Sequence, residues 1–351
     1  MTVELKYSKS SSFYLSCKKD FFSENALLLN NALNQNKLYS SQPFRDFCKL
    51  CGKPLNKEPD FTSHSIEYSF CPNCSHLNGK HSDTKSFIQK LYISNTGSDY
   101  SINYIDKEYY KRTTEIYIPK VDFLISSIPL RDYNILDVGC GGGYFVYAAM
   151  IKNINAKGLD VSEALIDFGN QQISNLSDRK SIKLGDSKPL FYKNELGFFD
   201  EIVNSEADVI SAIGVIEHLR EPHKFFEAFN KSKAQYLYYS VPMFSFSVIL
   251  ENSFNNIFPR QLSGGHTHLF TEESIKMMNE IIQVKSISEW RFGTDIMDLY
   301  RSLIGTLKSN NSSLKLIEYL ENGFGSKVDE LQSVLDKNHF CSEIHIVATK
   351  K

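Results

Sequence analysis

The sequence is poor in the features that mark membrane proteins and nucleic-acid-binding proteins. No apolar run reaches the roughly eighteen residues that a membrane-spanning helix needs, and lysines and serines interrupt the first residues, where a signal peptide would be apolar. The formal net charge is −2, so the chain as a whole does not attract phosphate backbones or anionic lipids. We therefore expect a cytoplasmic protein without a membrane partner, and nucleic acid is not the favoured partner.

Tryptophan occurs once and cysteine seven times in 351 residues, and internal repeats and low-complexity tracts are absent. In a reducing compartment the cysteines are not expected to form disulfides. The hydrophobic content of 42% and the charged content of 23% are those of an ordinary globular protein. The length leaves room for a core of about two hundred residues and one smaller module.

Four of the cysteines form two CxxC pairs with nineteen residues between them. This spacing is typical of a zinc ion held by four thiolates, and so small a module would depend on the metal to fold. A redox-active CxxC is the alternative, but Gly52 and Pro72 favour tight zinc knuckles. His64, His76 and His81 could compete as ligands, although four thiolates already complete the shell and leave the zinc a structural role. The expected ligands are Cys48, Cys51, Cys71 and Cys74.

The most informative segment is residues 134–144, Asn-Ile-Leu-Asp-Val-Gly-Cys-Gly-Gly-Gly-Tyr. A short aliphatic strand ends at an acid, and a glycine-rich turn leads into a helix whose free N–H groups would face a ligand. The dinucleotide-binding fingerprint requires glycine at its sixth position, but Tyr144 occupies that position. The segment therefore argues against an NAD-linked oxidoreductase.

The one-three-five glycine spacing after an acid resembles motif I of S-adenosylmethionine-dependent methyltransferases. The resemblance extends over about residues 133–351. Asp160 ends the next predicted strand, where an acid accepts hydrogen bonds from ribose hydroxyls. In the family a residue after the third strand contacts the adenine, which implicates Asp186 and its neighbour Ser187. The expected cofactor-binding residues are Asp137, Gly139, Gly141, Gly143, Asp160, Asp186 and Ser187.

Strand-like and helix-like segments alternate along the second half of the chain. This alternation predicts the α/β class, with a doubly wound, seven-stranded, mostly parallel sheet that carries helices on both faces. Helical segments are expected over 107–128, where Pro119 must kink the helix or start a new one, and over 314–335. The strands are expected at 134–137, 156–160, 181–184, 207–212, 236–241, 284–290 and 342–349.

These assignments divide the chain into four parts. They are an N-terminal strand and helix segment (1–45), a zinc ribbon (46–80), a helical connector that would cap the cofactor pocket (81–132) and a methyltransferase core (133–351).

Histidines follow two of the predicted strands at the edge where the cofactor would bind. Transfer of a methyl group to a hydroxyl or a carbon atom requires removal of a proton, and histidine is the commonest base. The pair Glu217–His218 resembles that of ubiquinone-pathway O-methyltransferases and some sugar methyltransferases. In the quinone enzymes a further acid completes a divalent-ion site, but Gly214 occupies that position here, which argues against a metal-assisted reaction. The candidate catalytic residues are His218, Glu217, His268 and His266.

A zinc ribbon ahead of such a core resembles bacterial methyltransferases that act on nucleotide-linked sugars or other glycan precursors. The resemblance implies O- or C-methylation of a small acceptor, with S-adenosylmethionine and structural zinc as cofactors. Two alternatives stay open. The ribbon could grip RNA, although the lysines in and after it are offset by acids, or the protein could bind the cofactor without turnover.

Overall fold

The computed structural model describes residues 3–12, 24–93, 108–130, 132–180 and 188–351. Its main sheet has eight strands in the order β1-β11-β12-β9-β8-β5-β6-β7. A second, four-stranded sheet has the order β10-β4-β3-β2. The strands are β1 (Glu4–Tyr7), β2 (Phe61–Ser63), β3 (Ile66–Phe70), β4 (Leu77–Gly79), β5 (Asn134–Val138), β6 (Asn155–Asp160), β7 (Leu190–Tyr192), β8 (Val209–Ile213), β9 (Tyr236–Pro242), β10 (His268–Leu269), β11 (Val284–Phe292) and β12 (Glu343–Lys350).

Helices cover both faces of the main sheet. Residues of one strand alternate between the two faces, so that Ile135 packs with one apolar cluster and Leu136 with the other. The helices are α1 (Asn25–Ser40), α2 (Lys85–Ile88), α3 (Tyr109–Arg112), α4 (Ile118–Ser127), α5 (Tyr144–Ile151), α6 (Glu163–Lys180), α7 (Glu195–Val203), α8 (Pro222–Lys231), α9 (Phe246–Ser253), α10 (Glu272–Ile282), α11 (Asp295–Ser309), α12 (Leu314–Phe324) and α13 (Val328–Lys337). Helices α4, α5 and α6 contribute to one cluster, and α7, α8 and α10 to the other. The α/β class and the doubly wound arrangement are confirmed.

Among the described residues the main sheet has eight strands where seven were expected, and β1 and β7 are not among those seven. β1 pairs in parallel with β11, with Leu5 opposite Glu289. A strand was expected within residues 1–45, but its place in the main sheet was not, because an exposed edge strand of four residues has no buried face that would show which sheet it joins. β12 is antiparallel to both of its neighbours, as expected. The strand expected at 181–184 lies outside the described residues, and the described strand next to β6 is β7.

Both expected helical stretches, 107–128 and 314–335, are divided; the first division, at Pro119, was expected, and the second was not. Residues 109–127 form α3, a π-helical turn at Thr113–Tyr117 and then α4, whose first turn contains Pro119. Proline lacks the N–H that a continuous helix would use, so it is accommodated at a helix start. A 3₁₀ turn at Gly325–Lys327 separates α12 from α13.

The small sheet joins residues of the expected ribbon to residues of the expected core. β2, β3 and β4 come from the ribbon region, and β10 pairs with β4 through His268 opposite Asn78. Cys48, Cys71 and Cys74 belong to the same apolar cluster as α8. The ribbon therefore packs directly on the core at the loop that precedes α10.

Within the residues that the structure describes, every helix is too short or too polar to cross a lipid bilayer.

Candidate functional site

A cavity of about 650 Å³ opens at the carboxyl ends of β5, β6 and β8, within the size range of small-molecule sites. This is the edge at which doubly wound sheets bind ligands. Four of the expected cofactor-binding residues line it, as does one of the expected catalytic histidines. They are Asp137, Gly139, Gly141, Asp160 and His218.

The glycine turn after β5 is shaped by its backbone and by its neighbours. Gly139 has φ +69°, and a Cβ there would lie 2.7 Å from a Val215 methyl carbon. Gly143 has φ +75°, and a Cβ there would lie 2.5 Å from a Leu190 methyl carbon. Neither position accepts a larger residue without strain. Gly143 begins α5 and packs against β7, so its contribution to the site is to place the turn, while Gly139 and Gly141 line the cavity.

Asp160 holds the turn against the end of β6. Its carboxylate accepts hydrogen bonds from the amides of Gly141 and Ser162, each at 2.8 Å. Burial raises the pKa of Asp160 above its usual value. A carboxylate has about four acceptor positions, so Asp160 keeps acceptor capacity for a ligand in the cavity.

Asp137 lies beneath the same turn. Its Oδ1 accepts a 2.7 Å hydrogen bond from the Ser211 hydroxyl, and burial raises its pKa to about 7. A positively charged ligand in the cavity would favour the ionised carboxylate. The expected adenine-contacting residues, Asp186 and Ser187, lie outside the described residues.

Glu217 and His218 occupy a 3₁₀ turn, Ile216–His218, immediately after β8. Gly214, with φ +66°, makes the sharp change of direction that ends the strand. The Glu217 carboxyl is only 5% exposed, and burial raises its pKa to about 8. Burial and the neighbouring His266 hold the pKa of His218 well below its usual value. At neutral pH this pair is therefore a protonated carboxyl beside a neutral imidazole.

His266 approaches the pair from the loop before β10. Its ring centroid lies 5.0 Å from that of His218, and Glu217 Oε1 lies 3.9 Å from His218 Nε2. Among the described residues, Glu217 Oε2 and His266 Nδ1 are buried and have no hydrogen-bond partner. One ligand atom from each residue lies within 4.8 Å of the others, so the set is suited to proton transfer and would also accommodate a cation.

His268 is not brought to the cavity. It is 2% exposed and lies behind the Glu217–His218 turn, where its Nε2 is 2.7 Å from the Glu217 carbonyl oxygen and its Nδ1 is 2.7 Å from His76 Nε2. Residues two positions apart share a face of a regular strand, but only His268 belongs to β10. His266 closes a turn with Ser263 before that strand, so the two histidine side chains are oriented independently. His76 was considered from the sequence only as a competing metal ligand, and its contact with His268, 192 positions away, leaves no sequence signal.

The four cysteines of the ribbon converge. Cys48 Sγ lies 3.7 Å from Cys74 Sγ, and Cys51 Sγ lies 3.5 Å from Cys71 Sγ. Four thiolates about 2.3 Å from a tetrahedral zinc ion would be about 3.8 Å apart, so the cluster fits that metal. Gly52, with φ +67°, closes the first knuckle. The alternative ligand His64 is engaged elsewhere, with its Nε2 3.0 Å from the Ile257 carbonyl oxygen.

Three basic side chains, Lys85, Arg112 and Arg220, also line the cavity. The Arg112 guanidinium lies 5.3 Å from the centre of the Tyr144 ring, and Arg220 forms a 2.6 Å ion pair with Glu221. The sequence alone did not place these cations together, because they come from three separate segments.

Comparison with known proteins gives one family match and several similar folds. The sequence profile described as "Methyltransferase domain" matches residues 108–283. Magnesium protoporphyrin IX methyltransferase from Synechocystis PCC 6803, solved with bound SAH, is 11% identical, with 76% of this chain and 100% of that chain covered and a TM-score of 0.49. A SAM-dependent methyltransferase from Archaeoglobus fulgidus is 18% identical, with 72% and 100% covered and a TM-score of 0.42. No curated protein gave a significant match.

Proposed function

The chain belongs to the methyltransferase-domain family, whose profile spans half of its 351 residues, and on this premise we propose that it methylates a sugar or another glycan precursor. The protein is thus an S-adenosylmethionine-dependent methyltransferase, and the proposal concerns its acceptor and its site residues. One observation carries the site: the glycine turn, the two strand-end acids and His218 share a single cavity.

In this proposal the cofactor lies against the glycine turn. The remaining acceptor capacity of Asp160 would take the ribose hydroxyls, and the bare backbone at Gly139 and Gly141 would allow close approach. Asp186 and Ser187 are retained as the adenine contacts. When bound, S-adenosylmethionine supplies a methyl group that its positively charged sulfur already activates.

The residues of this chain supply position and proton transfer. Orientation of the acceptor in line with the methyl group is worth roughly 7–11 kcal/mol. The neutral imidazole of His218 would take the proton from the acceptor hydroxyl or carbon as the methyl group moves from sulfur to that atom. The buried, protonated Glu217 carboxyl and His266 would orient His218 and the acceptor.

The cationic lining supports an acceptor that carries phosphate. Lys85 and Arg112 face the same cavity as His218, whereas Arg220 is paired with Glu221, which also lines it. Guanidinium and ammonium groups are the usual partners of a diphosphate. A nucleotide-linked sugar combines such a diphosphate with methylatable hydroxyl groups. These residues therefore favour it over an uncharged small molecule.

RNA methylation has less support from the ribbon. Lys49 is buried and forms a 2.6 Å ion pair with Asp83, and Lys80 is buried and donates to the Asn56 carbonyl. Two of the lysines that could have formed a basic face are thus used within the ribbon, which weakens its electrostatic attraction for phosphate backbones. A cofactor-binding protein without turnover has less support, since His218, a candidate base, lines the same cavity as the glycine turn.

The four cysteines are proposed to hold one structural zinc ion. Their convergence supports this ligand set, and four thiolates leave the metal no open position for chemistry. Zinc held by thiolates needs reduced cysteines, which supports the expected cytoplasmic location.

The test combines binding with an acceptor screen. Asp160→Ala should weaken S-adenosylmethionine binding by about 10–100-fold in calorimetry, because it removes charged hydrogen bonds and releases the Gly141 amide. Asp208→Ala is the matched control, since Asp208 accepts from the Asn134 amide at the opposite end of β5. Transfer of a labelled methyl group to nucleotide sugars, but not to RNA or phenols, is expected. Labelling of RNA alone would contradict the acceptor proposal.

A further inference from the structure

The ribbon and the Glu217–His218 turn are joined by two buried histidines. We propose that His76 and His268 are positioning residues, through which the metal-closed ribbon sets the orientation of the catalytic turn and hence the rate of methyl transfer. This inference rests on the proposed function of His218.

The hydrogen-bond partners define the direction of this relay. A carbonyl oxygen only accepts, so the 2.7 Å contact at Glu217 requires the proton of His268 to be on Nε2. In a neutral ring Nδ1 then accepts, and the 2.7 Å contact requires His76 to donate from its own Nε2. The Nδ1 atom of His76 has no partner among the described residues, which agrees with a nitrogen that carries no proton.

One end of the relay is tied to the cysteines. The backbone carbonyl of His76 accepts from the Cys71 amide at 2.9 Å and from the Asn78 side chain at 2.8 Å. Asn78 also contacts Cys48 Sγ at 3.6 Å and accepts from the Lys49 amide at 2.8 Å. Both CxxC pairs therefore share hydrogen bonds with the segment that carries His76. Loss of the metal would release this segment.

The other end acts on the peptide group between the two catalytic residues. The Glu217 carbonyl belongs to the peptide bond that links Glu217 to His218, so its orientation sets the direction of both side chains. A displacement of about 1 Å at a reacting group can lower a rate by about 100-fold. His268 thus controls the geometry of His218 without contacting the cavity.

Neither histidine has a simpler catalytic role. His76 is fully buried and His268 is 2% exposed, and neither lines the cavity. His76 is not needed as a metal ligand, because the four cysteines complete a tetrahedral shell. A purely packing role would not require both rings to be hydrogen-bonded in series.

The kinetic test uses His268→Leu, which has a similar volume but no donor, and His268→Gln, which can keep an N–H near the position of Nε2. We expect His268→Leu to lower kcat by at least tenfold while the Kd for S-adenosylmethionine and the zinc content change less than twofold. His268→Gln should recover most of kcat. The matched control is Phe270→Leu, because Phe270 packs on both rings and its side chain donates no hydrogen bond. Equal kcat in His268→Leu and Phe270→Leu would overturn the proposal.

A second measurement depends on neither turnover nor the folding of a variant. In wild-type protein labelled with nitrogen-15, both histidines should show a proton on Nε2. Removal of the metal with a chelator should shift the His76 and His268 ring signals together with the amide signal of His218. An unchanged His218 amide would overturn the coupling. If no acceptor is methylated but these shifts occur, the proposed acceptor chemistry fails while the relay stands.

Discussion

The two halves of the cavity are built differently. In the cofactor half, formed by Asp137, the glycine turn and Asp160, polar atoms already have partners: Asp160 accepts two backbone amides and Asp137 accepts the Ser211 hydroxyl. In the proposed acceptor half, His218 lines the cavity, and Glu217 and His266 lie next to His218 without lining it. Glu217 Oε2 and His266 Nδ1 are buried and have no partner among the described residues. Unpaired buried polar atoms are costly, so they are retained where a ligand or a reacting group can satisfy them.

This difference indicates that the proposed cofactor half is held in place by its own backbone, whereas the proposed acceptor half keeps buried polar atoms that a ligand could satisfy. The following predictions separate the two halves.

The largest effect is expected at the base. His218→Ala should lower kcat by about 10²–10⁴-fold and leave S-adenosylmethionine binding unchanged, because the imidazole belongs to the acceptor half. Turnover with the true acceptor measures kcat, and calorimetry measures S-adenosylmethionine binding. His223→Ala, an exposed histidine on α8, is the control and should retain full turnover. Equal losses of kcat and cofactor affinity would show that the two halves of the cavity are not separate.

A chelator of divalent ions tests the alternative role of the same side chains. If turnover disappears with the chelator and returns with added magnesium, at unchanged zinc content, Glu217, His218 and His266 would be assigned to a bound cation instead.

The next effect tests the rigidity of the cofactor half. Gly143→Ala should lower the free energy of unfolding by about 1–3 kcal/mol, because it adds a Cβ against Leu190 at a positive φ. Gly197→Ala in α7 is the matched control, since a Cβ there meets nothing closer than 3.6 Å. It should be neutral or stabilising by about 0.5–1 kcal/mol. Denaturant titration measures the free energy of unfolding of both variants. Equal values for Gly143→Ala and Gly197→Ala would contradict a strained turn at Gly143.

The pH dependence of kcat tests the acceptor half. Protonation of His218 removes the base, so kcat should fall on the acid side, and with the pKa of His218 well below 6.5 this fall should come below pH 6.5. Glu217, with a pKa of about 8, should lose its proton as the pH rises through 8 and cause an alkaline inflection. Glu217→Gln keeps a neutral side chain and should abolish that inflection without moving the acid limb. An inflection that persists in Glu217→Gln would assign it to another group.

The smallest effect is expected when Asp137 loses its hydrogen bond from Ser211. Ser211→Ala removes the hydrogen bond to Asp137 and should raise the pKa of that carboxyl further above its usual value. Cofactor affinity at pH 7 should fall by about two- to fivefold, and the loss should diminish at pH 8.5, where Asp137 is ionised in both proteins. A loss of affinity that is independent of pH would point to packing instead.

Several structural features were correctly predicted because they depend on residues that are close in the chain. Gly141 and Asp160 are nineteen positions apart, so a strand, a turn and a helix suffice to bring them together. The alternation of strand-like and helix-like segments along the chain likewise predicted the doubly wound sheet. The pairing of β1 with the main sheet and the 3₁₀ break at Gly325–Lys327 escaped prediction, because an exposed edge strand and a single turn leave little periodic signal.

The sequence by itself determined the class of fold, the edge of the sheet where a ligand binds and the convergence of the four cysteines, since each follows from short-range chemistry along the chain. Only the tertiary structure decided which histidines face the cavity. Glu217 and His268 are separated by 51 positions and His268 and His76 by 192, and their contacts exist because the ribbon packs on the loop before α10. Chain-distant contacts of this kind arise from packing of whole elements, and no local pattern encodes them.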